Sequence, residues 1–524
     1  MTSYYNTNKN ILRDTEEDRT SRIKTDRWIF ILLLLAIGLV PILVGGYVKE
    51  VTSPHITNIE LLSSGVKGDI FTHYKAIVLI IITLAAFGLL LSKIFFMDGK
   101  IRKTKLNIFL CIFFIAIVIS TILSPSVSIA LWGQYNRSDG AISYICYLTL
   151  FFVAMNIEYP KKALQYVMYS LYPFIFINLV LITMNFYGSD ALTYPGVQKM
   201  MSLFLSEGSE LSESSILLGT LNQWNFMSGM FAVMTVMYLA WSIIDKNMIR
   251  SFVNVFVAII SFSIMLMSIS TSGFLTVVLM TPLLILLLVK SANLKKAILV
   301  LIAFVIVIIP VFHVLSEKNP RVWDESIGFV MKKNPYAKEQ TAEIGQVEFP
   351  ISIVKRAFAA DNQFELPVLP ERGVAIGSGR AYIWQKTLEL AMERPLLGYG
   401  LDTLMYQFPH YNIDARAGMW TEDKIVDKPH SMYIGILYGS GIIGIIGFAG
   451  VALVSALAAL KIVFRRKQAL LTVIAVGWLA FLFQAIFNDS IPGTAGPMWA
   501  LSGMMMGILL VNKEIEEKID GRNN

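Results

Sequence analysis

DKPHSMYIGILYGSGIIGIIGFAGVALVSALAAL, residues 427–460, opens with two charges, a proline and a histidine and then carries no charge from Ser431 to Leu460. About 20 apolar residues suffice for a helix to cross roughly 30 Å of hydrocarbon. Residues 431–460 therefore read as a membrane span, with Pro429 and His430 at its mouth. Immediately upstream, SGRAYIWQKTLELAMERPLLGYGLDTL (378–404) has a different character. Ser378 is a plausible N-cap for a helix over 379–393. Ile383, Trp384, Thr387, Leu388 and Ala391 recur at helical spacing and give that helix one apolar face. Pro395 stops it, and Gly398-Tyr399-Gly400 predicts a tight turn where backbone approaches a ligand.

The whole chain shares the character of 431–460. Of its 524 residues, 55% are hydrophobic and only 15% charged, with a mean hydropathy of +0.61; a soluble domain carries roughly a quarter charged residues. The fold class is all-α and polytopic. About 12 transmembrane helices are expected, at 28–48, 74–96, 106–123, 140–157, 163–186, 221–243, 251–269, 272–289, 296–315, 431–460, 468–487 and 496–512. The first run has no small-residue cleavage pattern behind it and reads as a retained span, not a signal peptide.

Lysine and arginine set the expected orientation. If 1–27 is cytoplasmic, the loops on that side hold about two dozen of them, including Lys100, Arg102, Lys103, Lys105, Arg465, Arg466 and Lys467. The short loops opposite hold Lys49, Lys67, Lys75, Arg137 and Lys199. The positive-inside rule then puts both termini in the cytoplasm. Topology accounts for the net charge of +7, and no basic patch with interleaved aromatics points to nucleic acid. Cys111 and Cys146 lie within spans, and no Cys/His cluster suggests a metal. His55, His73, His313, His410 and His430 all fall at the extracytoplasmic side.

Five regions follow: a cytoplasmic tail (1–27), an N-terminal bundle of about nine spans (28–315), one large extracytoplasmic loop (316–429), a C-terminal bundle of about three spans (430–512) and a second cytoplasmic tail (513–524). Residues 49–73 and 187–220 read as polar and featureless. The 316–429 loop is too long to lack structure; its first half, Asn319 to Val374, reads as irregular with short helices.

Several residues have both a chemical and a bland reading. Arg380 stands in the first turn of the 379–393 helix, where the dipole disfavours a cation. There it either joins free backbone N–H groups in holding an anion such as a diphosphate, or it is a solvated or ion-paired arginine. His430 is either a general base or an interfacial hydrogen-bonder. Lys428 either steers phosphate or is an ordinary lysine at a span end. Arg137 lies between Trp132 and Tyr135, which either anchor the protein at the interface or stack on sugar while Arg137 holds a phosphate oxygen. Asn222 and Asn225 either bridge helices or touch substrate.

Together LWGQYNRSDG (131–140), GTLNQWNFMSG (219–229), GRAYIW (379–384), GYGLDT (398–403), DKPHSMY (427–433) and FNDSIPGTAGP (487–497) resemble the O-antigen ligase and O-antigen polymerase superfamily. The resemblance implies a C-type glycosyltransferase-like fold and an inverting, metal-independent transfer without cofactor. The donor would be an undecaprenyl-diphosphate-linked glycan, and the acceptor a glycan, a lipid or a wall polymer, on the outer face of a bacterial plasma membrane. It implies that Arg380 engages the diphosphate and that His430 serves the acceptor hydroxyl or the leaving phosphate. Arg137, Lys428, Arg416, Trp384, Tyr399 and Asn225 are the expected substrate-binding residues, and membrane lipids the surroundings.

Two positions depart from the family pattern. Ser431 replaces the usual asparagine after the histidine. In SISTSGF (268–274) Gly273 stands where an arginine is expected, so a second cation must come from Arg137, Arg416 or Lys428. The acceptor decides between polymerase and ligase, and the Ile/Lys/Asn-leaning composition tilts it towards a growing chain or a wall polymer. A flippase for lipid-linked glycans is the alternative class. It would place polar and charged residues deep in several spans, whereas here the candidates gather at one face.

Overall fold

The computed structural model describes residues 15–55, 62–203, 205, 217–221, 223–331, 333–337, 379–410, 425–465 and 468–523. Apolar runs become helices because every backbone polar group must be satisfied internally in lipid. In chain order these are α1 (Thr15–Gly38), α2 (His73–Phe96), α3 (Lys105–Ile122), α4 (Val127–Trp132), α5 (Ala141–Met155), α6 (Ala163–Ser170), α7 (Tyr172–Phe186) and α8 (Pro195–Met201). They continue with α9 (Trp224–Ile244), α10 (Met248–Met267), α11 (Thr271–Val289), α12 (Leu294–Lys318), α13 (Arg321–Asp324), α14 (Arg380–Glu393), α15 (Leu404–Gln407), α16 (Met432–Arg465), α17 (Ala469–Gln484) and α18 (Pro492–Asn523).

Among the described residues, ten helical segments are long and apolar enough to cross a membrane, α6 and α7 counting as one. The chain is a multi-pass membrane protein. The other two expected spans, 140–157 and 468–487, coincide with α5 and α17, of 15 and 16 residues. At 1.5 Å per residue these reach roughly 23 Å, less than the hydrocarbon core.

Two helices run past the expected spans, and two segments expected to be featureless are not. α1 starts at Thr15, not 28, with Glu16, Glu17 and Asp18 in the first turn, where acids favour a helix start. Residues 15–27 of the expected tail are thus helical. α18 likewise runs on through most of the expected C-terminal tail. Residues 49–73 are not featureless: β1 (Tyr47–Val51) pairs antiparallel with β2 (Gly65–Asp69), Tyr47 opposite Asp69. Residues 187–220 hold the short helix α8. Ser378, Asn222, Arg416 and most of Asn319–Val374 lie outside the described residues.

α9 is the hub. Every residue from Phe226 to Ile243 is buried, against α10, α11 and α17. Its sequence permits this, since Ser228, Gly229 and Ala232 let backbones approach and its methionines fill irregular gaps. α12, by contrast, is the least buried span.

The segment after α14 locks into a break in α16. Gly441 (φ 64°, ψ −167°) interrupts that helix. Pro395 C=O accepts from Ile442 N–H (2.7 Å), Tyr438 C=O from Tyr399 N–H (3.0 Å) and Gly439 C=O from Gly400 N–H (2.9 Å). The freed groups of the broken helix are therefore paired by the incoming chain. Gly398 and Gly400 also have positive φ, and a Cβ at Gly398 would strike the Tyr438 carbonyl. Their close approach is to α16. A Cβ at Gly441 would strike the Leu396 backbone, and only glycine tolerates this backbone region at little cost. Gly441→Ala is expected to lose most folded, monodisperse protein on size-exclusion of solubilised membranes. A wild-type yield would contradict this docking.

Candidate active site

The 427–432 segment is strapped at both sides. Trp384 Nε1 of α14 donates to Pro429 C=O (2.7 Å), so this expected substrate contact positions the histidine strand. Met432 N–H donates to Ala485 C=O and Asn488 C=O (3.0 and 2.9 Å), and Ser431 N–H to Asp489 Oδ1 (3.2 Å). His430 between these ties is held at φ 54°, an αL conformation whose strain concentrates at functional sites. Its Nδ1 lies 3.6 Å from Asp489 Oδ2, and a quarter of its side chain stays accessible.

Below His430, Arg137, Lys428, Asp139, Asp427, Asp402 and Asp489 surround a cavity of about 30 Å³, the volume share of one water. Arg137 is fully buried. Its Nε donates to Asp402 Oδ1 (2.8 Å), and its two terminal nitrogens donate to Asp427 Oδ2 (2.7 Å) and to Asp427 C=O (2.9 Å). Asp402 also pairs with a terminal nitrogen. Burial works against this charge, but Asp402 and Asp427 outweigh it and hold the pKa above the ordinary arginine value. Asp139 accepts from Ser490 Oγ (2.6 Å) and the Tyr147 hydroxyl (3.2 Å). Burial pushes its carboxyl well above the usual range, with Asp402 adding.

Three buried polar atoms here make no hydrogen bond: Arg380 Nε, Lys428 Nζ and Asp489 Oδ2. Lys428 Nζ stands 4.0 Å from Asp427 and 4.6 Å from the Phe226 ring centroid. Burial lowers the pKa of Lys428 against the pull of Asp427, and that of Arg380 against Asp489 and Glu325. Burial raises Asp489 to about 6 despite Lys428 and Arg137. It lowers His430 to about 3, with Asp427 opposing, so the imidazole is neutral at physiological pH. Buried polar groups are nearly always paired; two cations and one carboxylate oxygen left open in one place fit a site awaiting an anion and a hydroxyl.

The other expected residues are occupied internally. Tyr399 stacks on Tyr438 (centroids 5.4 Å apart, planes at 8°), lies under Arg394 and donates its hydroxyl to Glu393. Asn225 Oδ1 accepts from Ser270 Oγ (2.8 Å), the helix-bridging reading. On α14, Ile383, Thr387 and Ala391 are buried as expected, whereas Leu388 is exposed. Gly379 at φ 87° takes the N-cap position. Gly273 has a physical reason, because a Cβ there would strike Ser228 Oγ across the α9–α11 contact. No arginine fits that position.

Four histidines have partners of their own. His55 bonds Tyr406 C=O (2.6 Å), His410 bonds Met405 C=O (3.0 Å), His313 bonds the Tyr336 hydroxyl (2.8 Å), and His73 stacks on Tyr47. Asp139, Asp402, Asp427 and Asp489 were not among the expected site residues. Their only local signal is an acid placed at a span end in a chain so poor in charge.

Ten helical segments of membrane-crossing length among the described residues define a multi-pass membrane protein. Residues 256–449 match a family model described as O-Antigen ligase. The chain is similar to the O-antigen ligase/polymerase family over that stretch, which contains Arg380, Lys428 and His430. A search of curated proteins finds no match.

Proposed function

We propose that this chain transfers a glycan from undecaprenyl diphosphate to an acceptor hydroxyl, as a surface-polysaccharide polymerase or ligase. The carrying observation is the trio of buried polar atoms around His430 that make no hydrogen bond: Arg380 Nε, Lys428 Nζ and Asp489 Oδ2. Arg380 and Lys428 bind the diphosphate and stabilise its growing charge in a low-dielectric cleft. Lys428 is then the second cation that Gly273 does not supply, and Arg137 positions Asp402 and Asp427. The Lys/Arg bias puts this site on the extracytoplasmic face with both termini in the cytoplasm.

In the reaction the acceptor oxygen bonds to the anomeric carbon, and the carbon–oxygen bond to the diphosphate breaks. Its electron pair leaves with the diphosphate, and the hydroxyl proton passes to Asp489. This single displacement inverts the anomeric configuration. Neutral His430 orients the hydroxyl. With a pKa of about 6, Asp489 is a better matched base at neutral pH than an imidazole at about 3.

The pH profile tests this assignment. In proteoliposomes with lipid-linked donor, kcat/KM is expected to fall as pH drops through about 6, where Asp489 gains its proton. Asp489→Asn removes that limb and lowers the rate by about 10²–10⁴, while His430→Gln keeps the limb at a reduced rate. A profile flat through pH 6, or a fully active Asp489→Asn enzyme, sinks the assignment.

A further inference from the structure

At the far end of the bundle from His430, a cavity of about 870 Å³ opens between α6, α9, α10, α17 and α18. α9 separates it from the charged centre. Phe226 in the first turn of that helix faces Lys428, and Ile244 at its last turn lines the cavity; its 21 residues span roughly 32 Å at 1.5 Å each. The Lys/Arg bias assigns this end to the cytoplasmic side. Two short spans leave room for the cavity. α5 stops at Met155 and α17 starts at Ala469, and both Ile157 and Ala469 stand on the cavity wall. Each of these helices is roughly 7 Å shorter than the hydrocarbon core.

Its wall and its rim differ in chemistry. Leu164 of α6, Ile244 of α9, Leu470 of α17 and Ile508 of α18 form an apolar wall. The rim carries four cations, Arg102, Lys161, Lys246 and Arg250, against two acids, Glu158 and Asp245. Asp245 is already engaged. It accepts from Arg250 Nη2 (2.7 Å) and pairs with Arg250 Nε, and the same guanidinium lies 5.8 Å from the Trp241 ring centroid. Arg102 is fixed in place by Nη1, which donates to the carbonyls of Met155 and Ile157. Among the described residues, Arg102, Lys161 and Lys246 pair with no carboxylate. Gln165 gives a separate signal. Its Oε1 is buried and accepts no hydrogen bond, although buried polar atoms nearly always have a partner. Gln165 also lines the cavity, which is the route by which a donor reaches it.

We propose that this cavity binds an anionic phospholipid whose headgroup carries a hydroxyl, of the phosphatidylglycerol type. Its phosphate meets Arg102, Lys161 and Lys246, and a glycerol hydroxyl donates to Gln165 Oε1. Its acyl chains run along Leu164, Leu470 and Ile508. Basic pockets between spans at the cytoplasmic boundary suit such headgroups. A soluble anion gains nothing from the apolar wall, and a zwitterionic headgroup brings a cation of its own among these cations. The site stands apart from the transfer reading and does not depend on it.

Native mass spectrometry of the full-length protein, delipidated in detergent and titrated with defined lipids, tests this. Phosphatidylglycerol is expected to bind at least about tenfold more tightly than phosphatidylcholine with the same chains. Lys161 and Lys246 are exposed, so replacing both does not threaten the fold. At about fivefold per lysine, Lys161→Ala with Lys246→Ala should weaken phosphatidylglycerol binding about twentyfold. Phosphatidylmethanol has the same charge and no hydroxyl. It should bind the wild-type protein about fivefold more weakly than phosphatidylglycerol, the effect of one hydrogen bond, and Gln165→Leu should erase that difference. Lys199→Ala, on α8 at the opposite end, should change nothing. Equal binding of phosphatidylcholine, an unaffected double-lysine variant, or equal binding of phosphatidylmethanol by the wild-type protein overturns the proposal. So does glycerol phosphate that competes as well as the intact lipid, since the site then takes a free anion.

Discussion

Arg380→Ala is expected to lower glycan transfer by at least about 10²–10³, the usual effect of removing one preorganised charge-stabilising donor, while the protein still folds. The second half of that expectation separates it from an ordinary core mutation. Arg380 Nε makes no hydrogen bond, and burial already disfavours its charge. Removing it strands no partner, because Asp489 and Glu325 act on it only through space. Arg380→Lys keeps the charge but loses the bidentate fork, so its rate should fall between the two. Initial rates in nanodiscs with lipid-linked donor, beside thermal stability of the same samples, give the answer. An alanine variant within threefold of wild type would remove Arg380 from the site.

Arg137→Ala should fail in the opposite way. Its guanidinium is the shared partner of Asp402 and Asp427, and removing one member of a buried ion pair costs about 3–5 kcal/mol. We expect a large fall in Tm and in recoverable protein, with activity lost as a consequence. Adding Asp402→Asn and Asp427→Asn to Arg137→Met should recover much of the Tm, since the stranded charges are then gone. If Arg137→Ala instead keeps the wild-type Tm and only raises the donor KM, Arg137 holds phosphate and the positioning role is wrong.

These contrasting expectations mark what the sequence could convey. Apolar runs place helices because length and hydropathy are local properties, and α14 was readable from Ile383, Thr387 and Ala391 at i, i+4 and i+8. The β1–β2 hairpin was not readable. Its strands YVKEV and GVKGD are short, the second carries two glycines, and a long connection separates them, so pairing supplies what propensity does not. The positions of Arg380 at a helix start and His430 at a span mouth were legible from local pattern. Tyr399 and Asn225 had suitable chemistry, but their partners, Tyr438 and Ser270, come from other helices. Asp489 shows the converse. A single aspartate in a turn has no local signature, and only the approach of α16 and the 485–489 turn sets it against His430. The reason for Gly273 is equally tertiary, since Ser228 occupies the space an arginine would need.

The most direct measurement compares lipid extracts and surface glycan from a deletion strain carrying either the wild-type gene or Arg380→Ala. With Arg380→Ala, undecaprenyl-linked repeat units should accumulate outside the membrane while longer or transferred glycan disappears, and the size of the missing product separates polymerase from ligase. Unchanged surface glycan, or repeat units held at the cytoplasmic face, would contradict transfer at this site.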